Sequence, residues 1–164
     1  MEKKIIIING SGGVGKDTFV EFCNQFTNVK NISSVDKVKE AAKILVGWKG
    51  EKNDKSRKLL VDLKALSIDY NDYPMVYIKE EAEAFWQNPT QKMMFVHIRE
   101  ISEIEKVKQA LNAKTLLITS SRVQKITTNN SDANVEKYAY DMYISNDGTL
   151  EELKEKARQF VMEG

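Results

Sequence analysis

The run Ile5-Ile6-Ile7-Ile8, stopped by Asn9 and followed by Gly10-Ser11-Gly12-Gly13-Val14-Gly15-Lys16, restricts the fold more than any other segment. Four consecutive β-branched residues leave no polar face, so the run reads as a strand buried on both sides, as the central strands of parallel sheets are. Beyond the glycines, Phe19, Phe22, Cys23 and Phe26 recur at i, i+3, i+4 and i+7, the spacing of one helical stripe. The chain therefore opens with a strand, a glycine loop and a helix.

The same alternation continues. A short strand is expected at Ile32 to Val35, then a helix over Lys37 to Val46 with Val38, Ala41, Ala42 and Leu45 on its stripe, punctuated by Gly47 and Gly50. Leu59, Leu60, Leu63 and Leu66 predict a helix from Asp54 to about Ile68, and Asp72-Tyr73-Pro74 starts another that runs to about Trp86. Strands are expected at Met93 to Ile98, Thr115 to Thr119 and Asp141 to Ser145. Capping-box patterns at Ser102 to Glu105 and Thr149 to Glu152 open two further helices. The second of these carries Leu150, Leu153, Ala157, Phe160 and Val161 as its core stripe. The polar stretch of about 120–136 has no period and reads as a lid-like loop. Strands alternating with helices imply an α/β sandwich of three layers, a parallel sheet covered on both faces. Ligands of such sheets bind beyond the carboxyl ends of the strands, here where Asn9, Val35, Ile98 and Thr119 hand over to loops.

Composition narrows the function. With 164 residues the chain suits one domain with a sizeable core, 1–164. Its 25 Lys and Arg against 24 Asp and Glu exclude a general nucleic-acid binder, which would carry a dominant basic face. The balance is uneven, however: residues 37–64 hold nine cations against four acids, which would draw a small anionic substrate toward the helices after Asp36. One cysteine allows no internal disulfide and no cysteine-pair zinc site, which fits a reducing cytoplasm. No apolar run is long enough for a signal-peptide core or a membrane span, so no membrane partner is expected.

Gly10 to Lys16 matches the G-x4-G-K core of a Walker A phosphate loop, in the strand-to-helix context that its mechanism needs. Glycines allow backbone N–H groups to turn inward around an anion, and the following helix N-terminus adds its partial positive charge. Gly10, Gly12, Gly13, Val14, Gly15, Lys16, Asp17 and Thr18 are accordingly the nucleotide-binding candidates, with Lys16 reaching the β- and γ-phosphates. Asp17 stands where a Ser or Thr hydroxyl usually faces Mg²⁺, and Thr18 follows it. At about 5 Å and an effective dielectric of about 20, each like-charge pair between Asp17 and a triphosphate costs roughly 3 kcal/mol, more than the helix dipole returns. Asp17 therefore either faces Mg²⁺, with Thr18 as the other candidate ligand, or points away from the phosphates.

This Gly-Lys-Asp-Thr variant resembles the nucleoside monophosphate kinase-like P-loop kinases, especially the phage-type deoxynucleoside monophosphate kinases and the animal-type phosphomevalonate kinases. Ser34-Val35-Asp36-Lys37-Val38-Lys39-Glu40 is similar to their acceptor-facing stretch after the second strand, Arg57 with Leu59-Leu60 to their arginine-bearing acceptor-side helix, and Ile98-Arg99 with Glu103 to their third-strand exit. The ending Asn146-Asp147-Gly148-Thr149-Leu150-Glu151-Glu152-Leu153 also resembles theirs. The resemblance implies a P-loop nucleoside triphosphate hydrolase-type fold with a five-stranded parallel sheet of order 2-3-1-4-5. It further implies an acceptor-side helical segment of about 36–88, and transfer of the γ-phosphoryl group of ATP, with Mg²⁺, to a phosphate-bearing small molecule. The chain departs from that pattern at His97, where these kinases usually carry an Asp two residues before the arginine matched by Arg99.

Phosphoryl transfer draws on cations where charge spreads over the moving oxygens. Three of the four arginines, Arg57, Arg99 and Arg122, fall near the expected site. Arg99 and Arg122 are candidates for the transferring phosphate, and Arg57 and Lys39 for the acceptor, each weighed against an ordinary surface salt bridge. Asp36 is a candidate to orient or deprotonate the acceptor, or else a helix N-cap. Lys125 is a weaker candidate in the lid-like loop. His97 reads as a satisfied core or rim histidine, Cys23 as an inert core thiol, and Glu80, Glu81 and Glu83 as a solvated helix face. Tyr70, Tyr73, Tyr77, Phe85 and Trp86 are either packing residues or a base-stacking cluster. No Asn-Lys-x-Asp guanine-reading element occurs, which argues against a GTPase. The rival to a kinase is a nucleotide-binding regulator that has lost catalysis.

Overall fold

The computed structural model describes residues 2–123 and 135–163. Five strands, β1 (Lys4–Asn9), β2 (Val29–Ser33), β3 (Met93–His97), β4 (Lys114–Thr119) and β5 (Met142–Ser145), form one sheet in the order β2-β3-β1-β4-β5. Every pairing is parallel. Among the described residues six helices connect or follow them: α1 (Lys16–Phe26), α2 (Asp36–Val46), α3 (Asp54–Asn71), α4 (Tyr73–Gln87), α5 (Ile101–Leu111) and α6 (Leu150–Glu163). A 3₁₀ turn spans Val135–Lys137.

The β1 run is central, and its side chains divide by parity as a strand's must. Ile5 and Ile7 join Met94, Val96 and Leu117 in one core with Ile78 and Phe85 of α4 and Ile104 and Val107 of α5. Ile6 and Ile8 join Met93, Phe95, Leu116 and Ile118 in the other, against Phe19 and Cys23 of α1 and Leu153, Ala157 and Val161 of α6. Apolar residues on both faces are what removed polar alternation from the sequence of β1.

The sheet register sets the place of the site. Ile8 pairs with His97, Ser33 with His97, Asn9 with Leu117 and Thr119 with Ser145, so the carboxyl ends of all five strands finish at one edge.

Several local expectations are corrected. Ser102 is not a cap, because α5 begins one residue earlier with Glu100 in the N-cap position and no side-chain cap. Thr149 does cap α6, its hydroxyl accepting from Glu152 N at 3.1 Å. The expected stripe of α2 is narrower than four residues: Val38 and Ala42 are buried, whereas Ala41 and Leu45 face outward. In α3 the Leu stripe is not a core stripe, since Ser56 is the one buried residue of the helix and Leu66 is exposed. Leu150 likewise lies outside the α6 core. The period of those leucines identified helices correctly, but helical period alone does not say what covers the apolar face. Lys125 and most of the lid-like stretch lie outside the described residues.

Candidate active site

The phosphate loop joins β1 to α1, and three of its glycines, Gly10, Gly13 and Gly15, have positive φ. Gly10 has φ +153° and Gly15 φ +101°, and a Cβ on Gly10 would sit 2.6 Å from the Ile118 carbonyl oxygen and 2.8 Å from Val14 Cγ2. A Cβ on Gly15 would sit 2.6 Å from Asn146 Nδ2. α1 starts at Lys16 with Gly15 as its N-cap, so no side chain caps the first-turn N–H groups. Uncapped amides at a helix N-terminus suit an anion, which supplies the acceptors that a capping side chain would otherwise provide. Lys16 Nζ donates to the Gly10 carbonyl, which lays its ammonium across the loop.

Two buried or half-buried asparagines hold this loop, and neither is apparent from the motif. Asn9 is buried; its Oδ1 accepts from Gly10 N at 2.8 Å, and its Nδ2 donates to Tyr140 Oη at 3.0 Å and to the Arg99 carbonyl at 3.3 Å. Tyr140 Oη in turn donates to the Val135 carbonyl at 2.6 Å, and burial pushes this phenol up to about 12. On the other flank Asn146 Nδ2 donates to the Val14 carbonyl at 2.9 Å, while Asn146 N donates to the Thr119 carbonyl at 2.7 Å. The Asn146 carbonyl accepts from Arg122 Nη2 at 2.9 Å. Ser121 donates twice to Asp147 Oδ1, from N at 2.6 Å and Oγ at 2.8 Å, which holds the Asp147 carboxyl below its ordinary range. The sole sequence cue was position: an Asn at the last residue of the central strand, and another opening the turn after β5.

Opposite the loop, Asp36 closes the β2–α2 turn. Its Oδ2 accepts from Ser33 N at 2.9 Å and from Tyr77 Oη at 2.8 Å. Its carboxylate is not an N-cap, because Val35 occupies that position and α2 has no side-chain cap hydrogen bond. Tyr77, one of the aromatic candidates, is thereby a packing residue that carries a hydrogen bond. Phe85 is buried in the core, and Tyr70 and Trp86 are exposed.

His97 lies between these two sides. Its Nε2–H donates to Asn31 Oδ1 at 2.8 Å, and Ser34 N donates to the His97 carbonyl at 3.1 Å. Burial pushes the imidazole down to about 4; Lys16 and Arg99 act in the same direction, and Asp17 and Asp36 oppose them. The structure therefore brings Lys16, Asp17, Asp36 and Arg99, which come from three separate stretches of the chain, within electrostatic reach of one neutral histidine. That His97 is satisfied and uncharged agrees with its reading as a rim histidine.

Other candidates are placed differently. Arg57 pairs with Asp54 at 3.0 Å on the exposed side of α3, and Lys39 is exposed on α2. Arg122 is held on the Asn146 carbonyl beside the loop. Asp17 is exposed and Thr18 half-buried on the first turn of α1. Among the described residues no group of three or more His, Cys, Asp or Glu side chains converges on a metal position. Cys23 is buried, and burial pushes its thiol up to about 12, so it is the inert core thiol expected. Glu80 and Glu83 are exposed, and Glu81 pairs with Lys30 at 2.6 Å. No helix among the described residues is long and apolar enough to cross a membrane.

No family model matches the sequence, and no curated protein does. Solved structures do match along nearly the whole chain. The dephospho-CoA kinase of Campylobacter jejuni aligns with TM-score 0.63 at 16% identity, over 98% of this chain and 96% of its own. TT1252 of Thermus thermophilus aligns with TM-score 0.60 at 18% identity, over 99% and 98%. The shikimate kinase of Aquifex aeolicus aligns with TM-score 0.53 at 12% identity, over 98% and 96%. At such identities the likeness is one of fold, and together with the strand order and the loop at the end of β1 it establishes a P-loop kinase-type α/β fold.

Proposed function

We propose that the protein is an ATP-dependent small-molecule kinase that transfers a γ-phosphoryl group to a phosphate-bearing acceptor, most directly a nucleoside or deoxynucleoside monophosphate. The observation that carries this reading is the meeting of the Lys16 loop with Asp36 and Arg99 around His97 at the carboxyl edge of the sheet. A donor-only loop would need no second charged wall; a transferase needs one for its acceptor.

In this reading the first-turn amides of α1 and the loop bind the donor phosphates, and Lys16 moves from the Gly10 carbonyl onto them. Asp17 or Thr18 would help hold Mg²⁺, which would supply charge neutralisation to the phosphate oxygens. Arg99 and Arg122 neutralise charge on the transferring group, and the loop tied down by Asn9 and Asn146 keeps that geometry fixed. Asp36, already an acceptor of two hydrogen bonds, orients the incoming hydroxyl or phosphate oxygen. Lys39 and Arg57 draw the acceptor by charge at longer range. A protein of this kind, with a reduced Cys23, works in the cytoplasm.

The test is ADP formation by purified protein given MgATP and a panel of nucleotides and phosphorylated metabolites. Turnover with one acceptor class, abolished in Lys16→Ala, supports the proposal. His97 favours a second reading, a nucleotide-binding regulator without turnover, because a neutral imidazole stands where the resembling kinases place a carboxylate. ATP binding with no ADP formed across the panel would establish that second reading instead.

A further inference from the structure

α3 is 18 residues long yet buries only Ser56, and the side it turns outward is not the polar surface expected of a solvated helix. At 100° per residue, Lys55, Leu59, Asp62, Leu66, Asp69 and Tyr70 fall on one strip. Leu66 is 66% exposed and Tyr70 87%, and Leu59 is half-buried at the inner margin. In α2, which packs on α3, the last turn exposes Ile44 at 87%, Leu45 at 67% and Val46 at 57%.

The charges on and around this strip are ordered. Arg57 is paired with Asp54, Lys58 with Asp62, and Lys64 with Glu103 of α5. Lys55 and Asp69 form no salt bridge with any described residue. The strip thus runs from an unpaired cation, through leucines, to an unpaired anion and an exposed tyrosine. Read backwards, its outer positions complement one another, and Asp62 at the centre keeps its own counter-charge, Lys58, at 2.6 Å. Two copies laid antiparallel about a twofold axis near residues 62 and 63 set Lys55 against Asp69 of the other copy, twice, and Leu59 against Leu66, twice. The same arrangement opposes the two helix dipoles.

We infer that α3 is the seam of an isologous homodimer, with the α2 end as its margin. A flat acidic or basic partner would satisfy only one end of the strip, whereas a second copy satisfies both. Leucine and tyrosine contacts flanked by opposite charges are also the anatomy of a specific interface, with apolar anchors and a charged rim that sets register.

The experiment is sedimentation velocity of the full-length protein over a range from about 1 to 100 μM, with circular dichroism as the folding control. Wild type is expected to shift from monomer to dimer mass as concentration rises. Leu66→Glu is expected to raise the dimer Kd by at least about tenfold with an unchanged spectrum, since the side chain is already in water. Lys55→Glu and Asp69→Lys should each weaken the dimer, and the double variant Lys55→Glu with Asp69→Lys should restore it, an outcome that a merely apolar association would not give. A wild type that stays monomeric across the range overturns the inference, as does a dimer indifferent to Leu66→Glu, or a charge swap that fails to rescue.

Discussion

His97 makes the acid response of the folded protein calculable. Its imidazole is held down to about 4 in the native state, mainly by burial, against about 6.5 in an unfolded chain. Between those values the unfolded chain binds the proton and the native protein does not, so acidification favours unfolding. Stability is thus full above about pH 6.5 and falls as the pH drops toward 4. From pH 7 to pH 4.5 the difference in proton affinity amounts to about 2.4 kcal/mol by linkage, and partial solvent contact of the ring reduces that to about 2 kcal/mol. This is a large share of the roughly 5 to 15 kcal/mol that holds a domain together. The assay is urea unfolding at pH 7 and pH 4.5 for wild type and for His97→Gln, which keeps an amide donor within reach of Asn31. Wild type should lose about 2 kcal/mol more than the variant between the two pH values. The carboxyls held low by hydrogen bonds, Asp141 and Asp147, lose their contributions mainly below that window. Equal pH dependence in the two proteins would refute the assignment of the acid sensitivity to this half-buried ring.

Three further outcomes follow from particular contacts. Gly10→Ala should abolish binding of a fluorescent ATP analogue while leaving most helix content by circular dichroism, because its methyl would press on the Ile118 carbonyl and Val14 at a positive φ. Tyr140→Phe leaves the Val135 carbonyl and one Asn9 proton short of a partner and should cost about 1 to 3 kcal/mol in urea unfolding, with weaker analogue binding because Asn9 also holds Gly10. Cys23 should resist iodoacetamide in the native protein at pH 8 and react after denaturation; mass spectrometry that finds rapid native labelling would contradict its burial and raised thiol.

How much was legible in the sequence differs between the donor side and the acceptor side of the site. The donor side is local: strand, glycine turn and helix lie within residues 4–26, so the periodicity of Ile5 to Ile8, the glycine spacing and the stripe of Phe19 and Cys23 already specify it. The backbone angles at Gly10 and Gly15 then show why those glycines are needed. The acceptor side, and the ties that hold the donor loop in place, are assembled from distant residues. Asp36 and Tyr77 are bonded across 41 positions, and Asn9 and Tyr140 across 131. No short-range pattern encodes such pairs, because they form only when parallel strands separated by whole helices come into register.

The sequence by itself determined the alternation of strands and helices, the buried central strand and the phosphate loop, since each depends on side-chain period or on glycine within a few residues. Only the tertiary structure decided which apolar stripes become core. Phe19 and Leu153 are sealed between sheet and helices, while Leu66, spaced just as regularly, faces out of α3. Helical period records that a stripe exists; what lies against it is a property of the assembled layers, and among the described residues no layer covers the outer strip of α3.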